Sequence, residues 1–217
     1  MPRLAEEVAL ARNLELLHYA GGRLHVTKVS TARSLELIRA AKRKGLHVTC
    51  DVTTYQALLD DSLLHDFDTN YKVNPPLREK PDQDAILKAL KDGTIDVLTT
   101  GHLPQDEESK MLEFDLADFG IINLQTAASH ISSLSKTVEL EELVDKLTDQ
   151  PRKILGIPLP TVAEDQKANL TLYAPHEAWT FTAADNYSKS KNSPWLGKEL
   201  IGRAVAVFNN GKQIIHE

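Results

Sequence analysis

The chain has 217 residues, 41% hydrophobic and 26% charged, an ordinary globular composition that can build a core without disulfides or structural metal. A single cysteine, Cys50, excludes a disulfide within the chain. The net charge of −6 argues against non-specific nucleic-acid binding. No apolar run approaches the roughly 20 residues of a membrane span, and the glutamate-bearing N-terminus lacks the apolar run of a signal peptide, so a cytoplasmic protein is expected.

Apolar residues at helical spacing from Leu4 to Tyr19 predict a helix, ended by Gly21-Gly22. Arg23 to Ser30 reads as a short strand. Thr31 is an N-cap for a helix running to Lys44, stopped at Gly45. Leu46 to Thr53 is a second β-rich run, and strand, helix, strand calls for a right-handed parallel crossover. The polar stretch from Asp60 to Lys80, with Pro75-Pro76, suits a long loop. A helix then runs from Pro81 or Asp82 to Lys91, with Gly93 as its stop, and Ile95 to Thr100 is a compact strand. Helices are expected near Ile121 to Ser132 and Leu140 to Leu147. Beyond Pro151 the pattern turns β: Ala168 to Ala174, Trp179 to Thr182 and Gly202 to Phe208, then a hairpin signal at Asn209-Asn210-Gly211 and a return strand from Gln213 to His216.

Four ordered blocks carry a resemblance. LHVTKVSTARSLELIRAAKRKGLHVTCDVT, YKVNPPLREKPDQDAILKALKDGTIDVLTTGHLP, LADFGIINLQTA and YSKSKNSPWLGKELIGRAVAVFNNGK together resemble the dihydroorotase branch of the amidohydrolase superfamily, of the multifunctional-complex type. The resemblance implies an α/β fold: the C-terminal half of a (β/α)8 TIM-type barrel, strands five to eight, over residues 1–157, and part of a small C-terminal β-sandwich over residues 158–217. It implies zinc-dependent hydrolysis of a cyclic amide in pyrimidine biosynthesis, and it says where ligands and base should stand.

At those positions the chemistry is missing. The family's ligand histidine before Val-Ser is Lys28, whose ammonium has no lone pair for a cation. The next ligand position is Tyr55, in Thr53-Thr54-Tyr55-Gln56, and a phenol is a poor ligand at neutral pH. The aspartate that serves as ligand and general base is Gly101, which has no side chain. No His-x-His occurs in the chain. No catalytic residue, metal ligand or cofactor is therefore expected. Asn74, His102, Ala117 and Gly120 match the family's substrate-contacting positions and are expected to be vestigial.

Other candidates have plainer readings. His25, by strand alternation opposite Lys28, is expected to be a satisfied structural histidine. Cys50 reads as a buried small hydrophobe rather than the nucleophile of a pair with His47, and Asp106-Glu107-Glu108 as a solvated loop.

The reading that follows is a catalytically inactive dihydroorotase-like protein, with a scaffold role toward aspartate transcarbamoylase. The alternatives are an active zinc-dependent dihydroorotase completed by an absent N-terminal half, and a non-catalytic ligand-binding module. Four parallel strands cut from a barrel should leave open edges and an exposed apolar inner face, so a homo-oligomer or pairing with the missing N-terminal half is expected. Neither nucleic acid nor membrane is an expected partner.

Overall fold

The computed structural model describes residues 1–215. Helix α1 (Arg3–Ala20) leads into strand β1 (Leu24–Val26), helix α2 (Ala32–Arg43) and strand β2 (Val48–Thr53). The Thr31 hydroxyl accepts from the Ser34 amide and caps α2 as the sequence predicts. A five-residue helix, α3 (Thr54–Leu58), follows β2 directly. Two 3₁₀ turns, α4 (Lys80–Lys91) and β3 (Val97–Thr99) come next. Strands β1, β2 and β3 form one parallel sheet in that order, in the register Leu24–Val48, Val26–Cys50 and Val52–Leu98.

Helices α5 (Glu107–Lys110), α6 (Ala127–Leu134), α7 (Leu140–Leu147) and α8 (Asp149–Leu155) precede an antiparallel sheet of β4 (Leu170–Thr180), β5 (Glu199–Asn209) and β6 (Lys212–Ile215). Asn210 and Gly211 turn β5 into β6, both at positive φ, the geometry that a two-residue hairpin turn demands. His216, placed in the return strand by the sequence, lies outside the described residues.

Several expectations are corrected. The parallel sheet has three strands where the resemblance implies four; the Asn-Pro-Pro-Leu-Arg segment is irregular, as the loop reading of Asp60 to Lys80 expects, its prolines having no N–H to give a ladder. The expected helix from Ile121 begins only at Ala127, because the preceding residues run between two neighbouring loops and hydrogen-bond to both. Helix α8 was not foreseen. Pro151 stands in its first turn, where a missing N–H costs little. The two strands expected between Ala168 and Thr182 are one, bent by irregularities at Leu172/Tyr173 and Ala174/Ala178.

The inner face of the parallel sheet is also not apolar. Leu24, Val26, Val48, Cys50, Val52 and Leu98 point toward the helices, where Leu10, Leu14 and Leu17 of α1, Leu35 and Ile38 of α2, and Ile86 and Leu90 of α4 complete the core. The registered partners on the opposite face are His25, Thr49, Asp51, Thr53, Val97 and Thr99, of which only Val97 is apolar. A second cluster at the strands' C-terminal ends joins Tyr55, Val73, Leu77 and Ile121 to Phe181 and Trp195 of the tail. Among the described residues no helix is long and apolar enough to cross a membrane.

Candidate functional site

The C-terminal ends of β1, β2 and β3 are where a parallel α/β architecture presents chemistry. The three positions matched to family ligands in the sequence reading lie there, after β1 (Lys28), in α3 after β2 (Tyr55) and after β3 (Gly101).

Lys28 has a left-handed backbone, φ 56°, held by its amide donating to Asp51 Oδ1 at 2.8 Å. The other carboxylate oxygen, Oδ2, accepts from His25 Nε2 at 3.0 Å, while His25 Nδ1 meets Thr49 Oγ1 at 2.8 Å. His25 thus has a partner at each ring nitrogen. Burial pushes the Asp51 carboxyl up. Hydrogen bonds from His25, the Lys28 amide and Thr27 outweigh that and hold it below the usual carboxylate range. The sequence reading gave Asp51 no role. Its signal was an acidic residue in the middle of an apolar strand.

Tyr55 is held by a tight turn. The Thr53 hydroxyl accepts from the Gln56 amide at 3.3 Å and donates to Gln56 Oε1 at 3.0 Å. The ring is 2% exposed. Burial pushes the phenol up to about 12, with nearby Asp51 adding to the effect, so the phenolate that a metal would require is strongly disfavoured. Its edge lies against Gly101, which has φ 62°. A Cβ there would stand 2.5 Å from Tyr55 Cε1 and 2.7 Å from Thr53 Cγ2. The space in which a residue-101 side chain would begin is filled.

Of the four positions matched to substrate contacts, His102, Ala117 and Gly120 are tied into the surrounding loops. Asn74 is exposed beside a cis bond to Pro75. His102 Nδ1 accepts from the Asn123 amide at 3.0 Å and the Leu124 amide at 3.3 Å, so it works as a clamp on the following loop. Burial lowers its pKa, which preserves the acceptor lone pair. The Ala117 amide donates to Glu113 O at 2.9 Å, and the Gly120 amide to Lys72 O at 2.9 Å. Lys110 Nζ donates to Gly120 O at 3.2 Å. The Ala117 and Gly120 amides are therefore engaged inside the protein.

Asn192, also unassigned from sequence, ties the same loops together. Its side chain donates to Leu103 O at 3.0 Å and its carbonyl accepts from the Ile122 amide at 3.0 Å.

The side chains present do not fit a zinc ion: an ammonium, a buried neutral phenol and a glycine offer no ligand set. Among the described residues no three His, Cys, Asp or Glu side chains are grouped to hold a metal ion. Cys50, fully buried, has its thiol pushed up to about 12 by desolvation, and is an inert core residue.

No family model matches the chain. It is 41% identical over 216 residues to a dihydroorotase of Geobacter metallireducens, an alignment covering 99% of this chain and 51% of that protein. The dihydropyrimidinase of Brevibacillus agri superposes with a TM-score of 0.89 at 25% identity, over 99% of this chain and 49% of the other. The inactive dihydroorotase-like domain of the Chaetomium thermophilum CAD-like multifunctional protein superposes with a TM-score of 0.69 at 24% identity, over 94% of this chain and 54% of that one, a likeness of fold. The chain spans about half the length of the curated relatives it matches. Over nearly its whole length the chain is similar to about half of a dihydroorotase, and it has an α/β fold that matches amidohydrolase structures.

Proposed function

We propose that this chain is a catalytically silent dihydroorotase-like protein associated with pyrimidine biosynthesis, acting in assembly with aspartate transcarbamoylase rather than in hydrolysis. The observation that carries the silence is the Tyr55 ring standing where a side chain on residue 101 would begin. Hydrolysis of a cyclic amide needs a polarised carbonyl, an activated water and an acceptor for the water's proton. The positions matched to that machinery hold Lys28, Tyr55 and Gly101, and these offer neither an imidazole or carboxylate for a cation nor a base.

The dihydroorotase names of the relatives support the link to pyrimidine biosynthesis. The Chaetomium thermophilum domain, described as inactive, has the same fold. An active enzyme completed by a missing half is less well supported: added residues bring ligands of their own but put no side chain on Gly101 while Tyr55 occupies that space. A pocket that retains the ligand without chemistry is opposed by the internal engagement of the Ala117 and Gly120 amides.

Two measurements test the proposal. Metal analysis after dialysis against zinc should find no stoichiometric ion, and a bound zinc per chain would remove the basis for silence. Sedimentation of the chain with aspartate transcarbamoylase should show a faster complex. Independent sedimentation of the two would eliminate the assembly role.

A further inference from the structure

Residues 111–120 form a strap that follows α5 and runs into Ile121. Apolar burial does not hold it down, because Met111, Leu112, Leu116 and Phe119 are all exposed. Two lysines hold it instead. Lys72 Nζ donates to Asp115 O at 2.9 Å and stands 4.9 Å from the centre of the Phe119 ring. Lys110, the last residue of α5, donates from Nζ to Asp118 O at 2.8 Å and to Gly120 O at 3.2 Å. Lys72 is only 9% exposed and Lys110 7%. Among the described residues neither ammonium has a carboxylate within ion-pair distance. Two like charges, near enough to repel, are thus buried on neutral carbonyls.

Lys110 is not sealed off. It lines a surface depression of about 250 Å³, together with Thr69, Asn192 and the charged Asp106, Glu107 and Lys191. That is room for a molecule the size of acetyl phosphate. We propose that Lys110 is an acylation site, at which a small donor of the acyl phosphate class modifies Nζ and releases the strap.

The ammonium first gives one proton to water. The Nζ lone pair then attacks the acyl carbon, an amide C–N bond forms, and the acyl C–O bond breaks as phosphate leaves with its electron pair. The nitrogen sheds a second proton to solvent. The product has one N–H in place of three and no charge, so at least one of the Asp118 and Gly120 carbonyls loses its donor.

The environment favours the first step. Desolvation, reinforced by Lys72 and opposed by the carboxylates of Asp68 and Asp118, lowers the Lys110 pKa from 10.5 to about 8. At pH 7 roughly a tenth of such amines are neutral, against about one in three thousand for an ordinary lysine. A desolvated lysine beside a second cation is a recurrent way of making an amine nucleophilic.

The test treats the full chain with acetyl phosphate at pH 7 and maps the modified peptides by mass spectrometry at early times. Lys110 should be acetylated about tenfold or more faster than the exposed Lys44 and Lys91. That preference should vanish in urea, where every lysine is an ordinary one. The Asp118 and Gly120 amides are bonded to Ser109 O and Lys72 O. Their hydrogen exchange should quicken several-fold in the acetylated chain and in Lys110→Gln, but not in Lys110→Arg, which keeps a cation and donors for both carbonyls. Lys110 labelled no faster than Lys44 and Lys91 overturns the proposal, as does unchanged exchange at Asp118 and Gly120 in the acetylated chain. The labelling needs no substitution, so a variant that fails to fold leaves it decisive. Neither readout involves hydrolysis or a partner protein, so both are decided separately from catalytic silence and assembly.

Discussion

Tyr55 and Gly101 share one space: the phenol ring of one lies 2.5 Å from where the other's Cβ would stand. A carboxylate on 101 and a tyrosine on 55 exclude each other sterically. Tyr55 is also a full member of the cluster that binds Ile121, Phe181 and Trp195 together, so this space serves as core.

The first prediction is non-additivity at this pair. Gly101→Ala alone adds overpacking worth about 1–3 kcal/mol to a left-handed backbone penalty of about 1–2 kcal/mol. Tyr55→Ala alone opens a cavity costing about 3–5 kcal/mol, as for other large aromatic truncations. Combined, the ring's share of the overpacking vanishes while the Thr53 Cγ2 contact at 2.7 Å stays, so the double variant should be more stable than the sum by up to about 1–3 kcal/mol in urea denaturation. Additive values would mean that the ring does not occupy the space of the missing side chain.

His102 should behave as a clamp and not as a chemical group. His102→Ala leaves the Asn123 and Leu124 amides without their acceptor, at a cost of about 1–3 kcal/mol where the group stays buried. Hydrogen exchange at those two amides should accelerate while the Gly120 amide, bonded to Lys72 O, keeps its protection. Unchanged exchange at Asn123 would dismiss the clamp.

His130 predicts acid lability. It is fully buried in α6 against Trp195, ring centroids 4.3 Å apart, and its Nδ1 meets Thr54 Oγ1 at 3.0 Å. Desolvation lowers its pKa from 6.5 to about 3. Between those values the unfolded chain binds a proton that the folded chain refuses, so stability is present above pH 6.5 and falls as the pH drops toward 3. His130→Phe should flatten that part of the stability–pH curve. An identical acid slope in the variant would contradict the burial.

Much of the fold was legible because local signals agreed with it: Thr31 before α2, Gly93 after α4, the alternation of β2 and the Asn-Gly turn after β5. What escaped was set by distant partners. Ile121 to Asn123 precede a helical run without a local stop signal, yet His102 and Asn192 tie them down from loops 21 and 70 residues away in sequence. The polar inner face of the sheet was hidden for the same reason, since His25, Thr49 and Asp51 become one network only when β1 and β2 pair. At the site, the residue types at Lys28, Tyr55 and Gly101 were readable position by position. The contact between Tyr55 and Gly101 was not, because 46 residues separate them and nothing local links a tyrosine to a distant glycine.

The most direct test of the account is dihydroorotate hydrolysis by the purified chain supplied with zinc. The account predicts turnover no faster than the protein-free solution, with or without metal. Zinc-dependent turnover that disappears on chelation would contradict it.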